Sequence, residues 1–500
     1  MLLAVLVTLL VIPSATRHAA AAPGTLPLVE DAVVGGDPRL HELTLQSPAL
    51  GRSAKVRVLL PSGYDDPANA DARYPMLLLL HGVGDDQSSW TNHTDIAAFT
   101  ASTPLIIVMP EAGKTPDSGW YSDWINGGPA WESFHIGELL PFVDATYRTI
   151  GTREARAVAG FSMGGFGAMS YAARHPELFV AAATFSGAVD TTFAGAPEST
   201  VFALLHSAAG TPSDAVWGPY ATDETPWRTH NPTDLATNLR WTNLYIATGN
   251  GVPGPGDNPA TIPLEVGVLP MNLSFDAALT AQQVPHVSNF RPSGTHDWPY
   301  RQLDFHAWLP MLLDVLAAPP APPAAFDYRS AEPTFSAWGW SFATDRPGPQ
   351  FVDLDGVSPA GLTATGSGPL ALDTPTAYPP GSLWTVRGDD GASIVVAADA
   401  SGRLAFTIDL GPGHAAPSSL VAGVRVDALA DDPRVTRSVT ISAAPPGAVV
   451  TPTGASATTT GTTPARLPAT GGELSLGWLA VALLATTGAA RWCRGRASPR

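Results

Sequence analysis

Residues 155–176 read "ARAVAGFSMGGFGAMSYAARHP", with Ser162 held between Gly160 and Gly164. Ala157, Val158 and Ala159 are short and apolar, as a buried parallel strand requires. After Ser162, the residues Phe166, Met169, Ala172 and Ala173 recur at helical spacing. His175-Pro176 closes that helix, because a residue before proline resists the α region. The unit is strand, sharp turn, helix. A serine on such a turn is exposed on strained backbone, and glycines two residues to either side let neighbouring elements approach closely. This is the pattern of a nucleophile elbow. The helix N-terminus behind it favours a developing oxyanion.

The whole chain bounds the alternatives. Five hundred residues allow two or three domains with ample core. The net charge of −17 argues against nucleic acid as a partner, since phosphate binding needs a basic face. Of the 27 basic residues 25 are arginine, which reads as the codon bias of a GC-rich genome rather than as function. The single cysteine, Cys493, excludes an intrachain disulfide framework, a cysteine-rich zinc site and a cysteine nucleophile in the body of the chain. No metal or organic cofactor is implied.

Both ends read as targeting segments. Residues 1–22 resemble a secretory signal, an apolar core followed by small residues, although they lack a basic n-region. Near the other end, residues 474–490 form an uncharged, largely apolar run, the lower limit for a membrane span. Arg491, Arg494, Arg496 and Arg500 follow it, and Leu467-Pro468-Ala469-Thr470-Gly471 precedes it. This ordered trio over residues 467–500 resembles the sorting signal of sortase substrates in Gram-positive bacteria. By that resemblance sortase would cut between Thr470 and Gly471 and join Thr470 to peptidoglycan, leaving a secreted, wall-anchored protein; a plain membrane anchor is the alternative.

Between the ends, residues 23–317 alternate strand-like and helix-like runs. "MLLLLHG" (76–82), "PLIIVMPE" (104–111), "RAVAG" (156–160), "LFVAAATFSG" (178–187) and "TNLYIATGNG" (242–251) read as buried strands. Residues 136–146 and 164–174 read as helices between them. Such alternation predicts an α/β fold, a mostly parallel sheet covered on both faces. Residues 318–325 form a proline-rich linker. Residues 326–445 turn to β patterning: Leu404, Phe406, Ile408 and Leu410 alternate with smaller or polar residues, and "VTRSVTIS" reads as a last strand. A small β-sandwich-like domain is expected there. Residues 446–466, rich in Thr, Pro, Gly and Ala, read as a stalk.

A serine hydroxyl needs a base to take its proton, and the base needs a carboxylate to orient it. In this fold the order along the chain is serine, acid, histidine. His296, in a Pro-Ser-Gly turn after the last strand-like run, is the best-placed base, since loops at the carboxyl ends of strands carry the site. His306 lies in a helix beside Phe305 and Trp308 and reads as a packed residue; His286 precedes a final strand. For the acid, spacing leaves Asp257 and Glu265 undecided, with Asp276 further on. The oxyanion donors are expected at the N–H of Met163, next after the serine, and of Val83, in "LLLLHGVGDD".

"PLIIVMPEAG…WYSDW", "GFSMGG", "YIATGNG", "PLEVGVLPMNLSF" and "PSGTHDW" follow in order. Together they resemble the esterase D superfamily, most closely the antigen 85 mycolyltransferases, over residues 35–315. The resemblance implies an α/β-hydrolase with Ser162 as nucleophile, His296 as base and Val83 and Met163 as oxyanion amides. It also places the acid on Glu265, ahead of Asn272-Leu273-Ser274-Phe275. His81, Trp124 and Trp298 are the substrate contacts it implies. His81 and Gly84 stand where the family has an aspartate and an arginine, which sets trehalose mycolylation in doubt but not acyl-enzyme chemistry. The expected protein is a surface serine esterase or acyltransferase acting on lipid or glycan-linked carboxylic esters. Mycolyl transfer to trehalose or arabinogalactan, and a non-catalytic wall adhesin, are the alternatives.

Overall fold

The computed structural model describes residues 26–114, 118–193, 214–220, 224–414 and 434–451. The expected signal, the sorting motif with Thr470 and Gly471, and the run 474–490 lie outside these residues. Among the described residues no helix is long and apolar enough to cross a membrane.

Nine strands form one sheet: β1 (Leu28–Val33), β2 (Leu40–Ser47), β3 (Arg52–Leu59), β4 (Met76–Leu80), β5 (Ile106–Pro110), β6 (Arg156–Phe161), β7 (Ala181–Phe185), β8 (Asn243–Thr248) and β9 (His286–Phe290). Among the described residues their order is β1-β2-β3-β5-β4-β6-β7-β8-β9. From β5 onward every pairing is parallel, while β1, β2 and β3 extend the sheet antiparallel. The five apolar runs seen in the sequence are the five central parallel strands. Apart from Asn243 at the start of β8 they are buried, because both faces are covered. Leu77 and Leu79 of β4 enter one core layer with Phe305, Trp308 and Leu312. Leu78 and Leu80 enter the other with Phe166 and Met169. The pleat thus sends alternate residues of one strand into two cores. At the edge, β1 is exposed along its whole length and carries Glu30 and Asp31, a charge pattern that discourages edge-to-edge pairing.

Three helices position the site: α1 (Met163–Arg174), α2 (Ile262–Ala281) and α3 (Trp298–Ala317). Helix α1 stops at Arg174, with His175 as its cap, as the His-Pro signal predicts.

The strands of residues 326–443 form two antiparallel sheets, six-stranded and four-stranded among the described residues, around a core that includes Trp340, Phe342, Phe406 and Ile408. The strands Ser393–Ala397 and Ala405–Asp409 flank one turn but go to opposite sheets. Trp340 is buried in this core, and Trp338 lies over the Arg153 guanidinium, so both pack rather than stand exposed.

The sandwich is bonded to the end of α1 remote from Ser162. The Tyr328 hydroxyl donates to the Arg174 carbonyl at 2.8 Å. The Arg174 guanidinium donates to Glu132 at 2.9 Å and to Glu332 of the sandwich at 3.1 Å. The Asn238 amide donates to the Arg329 carbonyl and accepts from its N–H, at 2.9 and 2.7 Å. Burial of Arg174 is outweighed by these carboxylates, which raise its pKa, while Arg174 and His175 hold Glu132 well below the usual carboxylate range against its own burial.

Candidate active site

Ser162 sits at φ 57° and ψ −117°, a region that non-glycine residues rarely enter. The neighbouring glycines make the turn possible. A Cβ at Gly160 would lie 2.1 Å from the Gly164 carbonyl oxygen, and one at Gly164 would lie 2.6 Å from the main chain of Leu80 and His81. The Ser162 N–H donates to the Phe185 carbonyl at 3.0 Å, tying the turn to the end of β7. Sequence, strain and packing therefore agree on one position for the hydroxyl, on a residue that is itself buried.

His296 lies in the loop between β9 and α3. Its Nε2 is 2.9 Å from Ser162 Oγ, and its Nδ1 is 2.8 Å from Glu265 Oε2. An ionised carboxylate only accepts, so the Nδ1 proton is on the imidazole and Nε2 is free to accept from the serine hydroxyl. Burial lowers the His296 pKa below its usual value, and Arg301 adds to this, while the Glu265 charge opposes it. The imidazole is neutral at neutral pH.

Glu265 is fully buried near the start of α2. Its Oε1 accepts from Ser186 Oγ at 2.6 Å, from the Gly249 N–H at 2.5 Å and from Thr248 Oγ1 at 3.2 Å, and lies 3.6 Å from the Arg301 guanidinium. Burial pushes the carboxyl up, but Arg301 and the donated hydrogen bonds outweigh it and hold the pKa well below the usual range. Asp257, left open by spacing, instead accepts from Gly254 N–H and Tyr300 OH, both at 2.8 Å, in the loop after β8. Asp276 pairs with His286, on the edge strand β9, at 3.1 Å, and His306 pairs with Asp95 at 2.8 Å and stacks on Phe99.

Three supporting residues escape sequence reasoning: Ser186, Thr248 and Arg301. Arg301 carries the one available signal. It shares the inward face of α3 with Asp304, Phe305 and Trp308, an odd place for a charge unless another charge awaits it. It also lies under the Phe161 ring at 5.1 Å.

The loop after β4 approaches the serine closely: a Cβ at Gly82 would lie 3.3 Å from Ser162 Cβ, so Val83 follows directly beside the elbow. Met163 opens α1, ahead of the first bond of the helix, donated by Phe166 to Ser162 O. Tyr121, in the Trp-Tyr-Ser-Asp-Trp block, braces this loop. Its hydroxyl accepts from the His81 N–H and donates to the His81 carbonyl, both at 2.9 Å.

The His81 side chain corrects an expectation. It does not reach substrate space: it is 1% exposed, its Nε2 accepts from the Ala112 N–H at 2.9 Å and its Nδ1 donates to the Gly82 carbonyl at 2.8 Å. Burial lowers its pKa to about 4, so it is a neutral clamp on the loop. Gly84 at φ 81° faces open space. Trp298 does stand at the site, edge-on to Phe161 at 5.2 Å, and Phe161 in turn packs on the His296 ring at 4.7 Å. The Trp124 indole donates to the Gly119 carbonyl at 3.1 Å and packs on the core, holding its own loop. Among the described residues no cluster of His, Cys, Asp and Glu could hold a metal ion.

A mostly parallel sheet with a strained serine at the β6–α1 turn, in line with a histidine and a buried glutamate, defines an α/β-hydrolase fold with a Ser-His-Glu constellation. Residues 47–312 match the family described as "Putative esterase", and the chain belongs to that esterase family. It is 36% identical over 266 residues to Esterase Rv1288 of Mycobacterium tuberculosis, covering 52% of this chain and 56% of that one. It therefore spans about half the length of that relative. It is 31% identical over 291 residues to the diacylglycerol acyltransferase/mycolyltransferase Ag85A of Mycobacterium ulcerans, covering 55% of this chain and 82% of that one. Among solved structures, MPT51 of Mycobacterium tuberculosis aligns over 56% of this chain and 98% of its own, with 22% identity and a TM-score of 0.47.

Proposed function

We propose that the chain is a serine esterase or acyltransferase that works through an acyl-Ser162 intermediate on lipid or glycan-linked carboxylic esters. The observation that carries this is the unbroken line from Ser162 Oγ through His296 to Glu265, at 2.9 and 2.8 Å. Ser162 Oγ attacks the ester carbonyl carbon while His296 Nε2 takes the hydroxyl proton. The N–H groups of Met163 and Val83 receive the oxyanion, an arrangement worth several kcal/mol in such sites. As the tetrahedral intermediate collapses, the ester C–O bond breaks and His296 returns the proton to the leaving alcohol. Water or a second alcohol then gives its proton to His296 and attacks the acyl-serine carbonyl; as that intermediate collapses, the bond from Ser162 Oγ to the acyl carbon breaks and His296 returns the proton to Ser162 Oγ. Glu265 keeps the imidazole in the productive tautomer and offsets its transient charge.

The test is mass spectrometry of the protein after p-nitrophenyl butyrate, trapped with acid. A butyryl adduct on Ser162, absent in Ser162→Ala, supports the reading; turnover by folded Ser162→Ala within about tenfold of the parent sinks it, since loss of such a nucleophile costs about 10⁶. The likeness to mycolyltransferases favours a second reading, transfer to trehalose or arabinogalactan. An excess of acyl-trehalose over free acid, with millimolar trehalose and a long-chain donor, would put that reading first. The aligned serine, histidine and glutamate speak against a non-catalytic adhesin.

The same proposal places the protein outside the cell and on the wall, from residues 1–22 and the Leu-Pro-Ala-Thr-Gly run. Mass spectrometry of wall digests should find Thr470 as the new C-terminus joined to peptidoglycan; a detergent-extracted protein retaining residues 474–490 would show a membrane anchor instead.

A further inference from the structure

Asp85 has no part in the line from serine to glutamate, yet it stands beside it. The point where Gly82 lacks a Cβ is 3.1 Å from Asp85 Oδ2 and 3.3 Å from Ser162 Cβ. Asp85 Oδ2 and the Ser162 Cβ therefore cannot be further apart than the sum of those distances, and both border the bare Cα of Gly82. The Ser89 hydroxyl, the Gly82 N–H and the Trp298 indole N–H are its polar neighbours. Among the described residues it has no ion-pair partner. The Lys114 ammonium is 2.6 Å from Asp86 instead. Asp85 is thus a half-buried carboxyl that no salt bridge explains.

Its side of the site is defined by chemistry. His296 delivers the proton to the leaving alcohol, so the alcohol must lie on the His296 flank. Phe161 links the His296 ring to Trp298, and Trp298 borders Asp85. We infer that Asp85 is a specificity-determining residue which hydrogen-bonds a hydroxyl on the alcohol portion of the ester, selecting polyhydric alcohols such as glycerol or sugars over simple alkyl alcohols. The inference rests on the serine-esterase reading above and supplies its alcohol side.

Burial pushes the Asp85 carboxyl up to about 7. Asp86 next in the chain adds to this, and its own charge is offset by Lys114. The other titratable groups nearby are Tyr121, bonded to His81 at the start of the loop, His93, stacked on Trp298, and His296, packed on Phe161. A charged acceptor binds a hydroxyl more strongly than a neutral one. Preference for a hydroxyl-bearing alcohol should therefore rise with pH through the Asp85 titration.

The experiment compares glycerol monobutyrate with ethyl butyrate at pH 5.5 to 8.5. The two share one acyl group, so the ratio of their kcat/KM values cancels the titration of His296. In the parent enzyme the ratio should rise with pH. In Asp85→Asn it should fall about tenfold at high pH and become flat, with ethyl butyrate within about twofold, a loss typical of one charge-assisted hydrogen bond. Equal loss on both esters would mean a structural role and would overturn the inference, as would an unchanged ratio or a ratio flat with pH in the parent. If Asp85→Asn melts early, Asp85→Ser is scored on the same ratio. A folded parent that cleaves neither ester defeats the esterase reading itself, and this inference with it.

Discussion

Glu265→Gln isolates the charge at the heart of the site, because it keeps nearly the same volume in a fully buried position. The glutamate oxygens receive hydrogen bonds from His296, Ser186, Gly249 and Thr248 and face the buried Arg301. A glutamine offers one acceptor oxygen and one NH2. If the oxygen stays with Ser186 and Gly249, the NH2 meets His296 Nδ1, which must then accept. The ring proton moves to Nε2, where it blocks transfer from Ser162. If the amide flips, its NH2 opposes the Gly249 N–H at a 2.5 Å spacing. The first arrangement loses the productive tautomer, at a cost of about 10⁴ in kcat where the matching Asp→Asn change has been made in a related triad, and the second keeps it only against that clash of two donors. Among the described residues Arg301 would keep Asp304, at 3.6 Å, as its ion-pair partner. Breaking a buried pair from one side costs about 3–5 kcal/mol. The assay is p-nitrophenyl butyrate turnover, corrected for folded fraction from a urea melt, with Asp257→Asn as control. Activity of folded Glu265→Gln within about tenfold of the parent, or a larger loss in Asp257→Asn, would refute the reasoning.

Other outcomes follow from the same geometry. The acid limb of kcat/KM against pH should have its midpoint below 6.5, because burial depresses His296 and only the neutral ring can take the serine proton; a midpoint above 6.5 would contradict this. By linkage, His296 binds its proton less readily folded than unfolded, so its contribution to stability is present above pH 6.5 and is lost as pH falls through its lowered folded pKa, a trend that urea melts at pH 7 and pH 5 would detect. Tyr121→Phe leaves the His81 N–H and carbonyl unpaired in the core and should cost about 1–3 kcal/mol, with a lower kcat as the loop after β4 loosens beside Ser162; an unchanged melt would dismiss the brace. Gly164→Ala puts a methyl 2.6 Å from backbone and should destabilise by at least about 1–3 kcal/mol, measured by thermal melting against the parent.

The elbow was legible because its meaning is local: a strand, a serine on strained backbone and a helix are contiguous, and the glycines are demanded by contacts a few residues away. His296 was nearly as legible, since its place after the last strand leaves few rivals. The acid was not, because Asp257 and Glu265 both follow β8, and which one reaches the imidazole depends on how α2 lies under the sheet. Family likeness supplied Glu265 where spacing left two choices. Ser186, Thr248 and Arg301 come from three separate elements, and no spacing rule joins them. His81 misled for a simple reason. A polar residue beside an oxyanion glycine reads as a substrate contact, but the direction of its side chain is set by Ala112 and Gly82, which the sequence does not place.

The bonding of the sandwich to the far end of α1 changes what counts as a module. Helix α1 begins at Ser162, the proposed nucleophile, and ends in the Arg174, Glu132 and Glu332 cluster, so one rod of about 18 Å has the candidate site at one tip and the neighbouring domain at the other. Cutting the chain at the proline-rich linker would strip Arg174 of Glu332 and uncover the seam beneath Tyr328. The two regions should then melt together in calorimetry, as one cooperative transition, and a hydrolase half expressed alone should be less stable and less active than its sequence boundaries suggest.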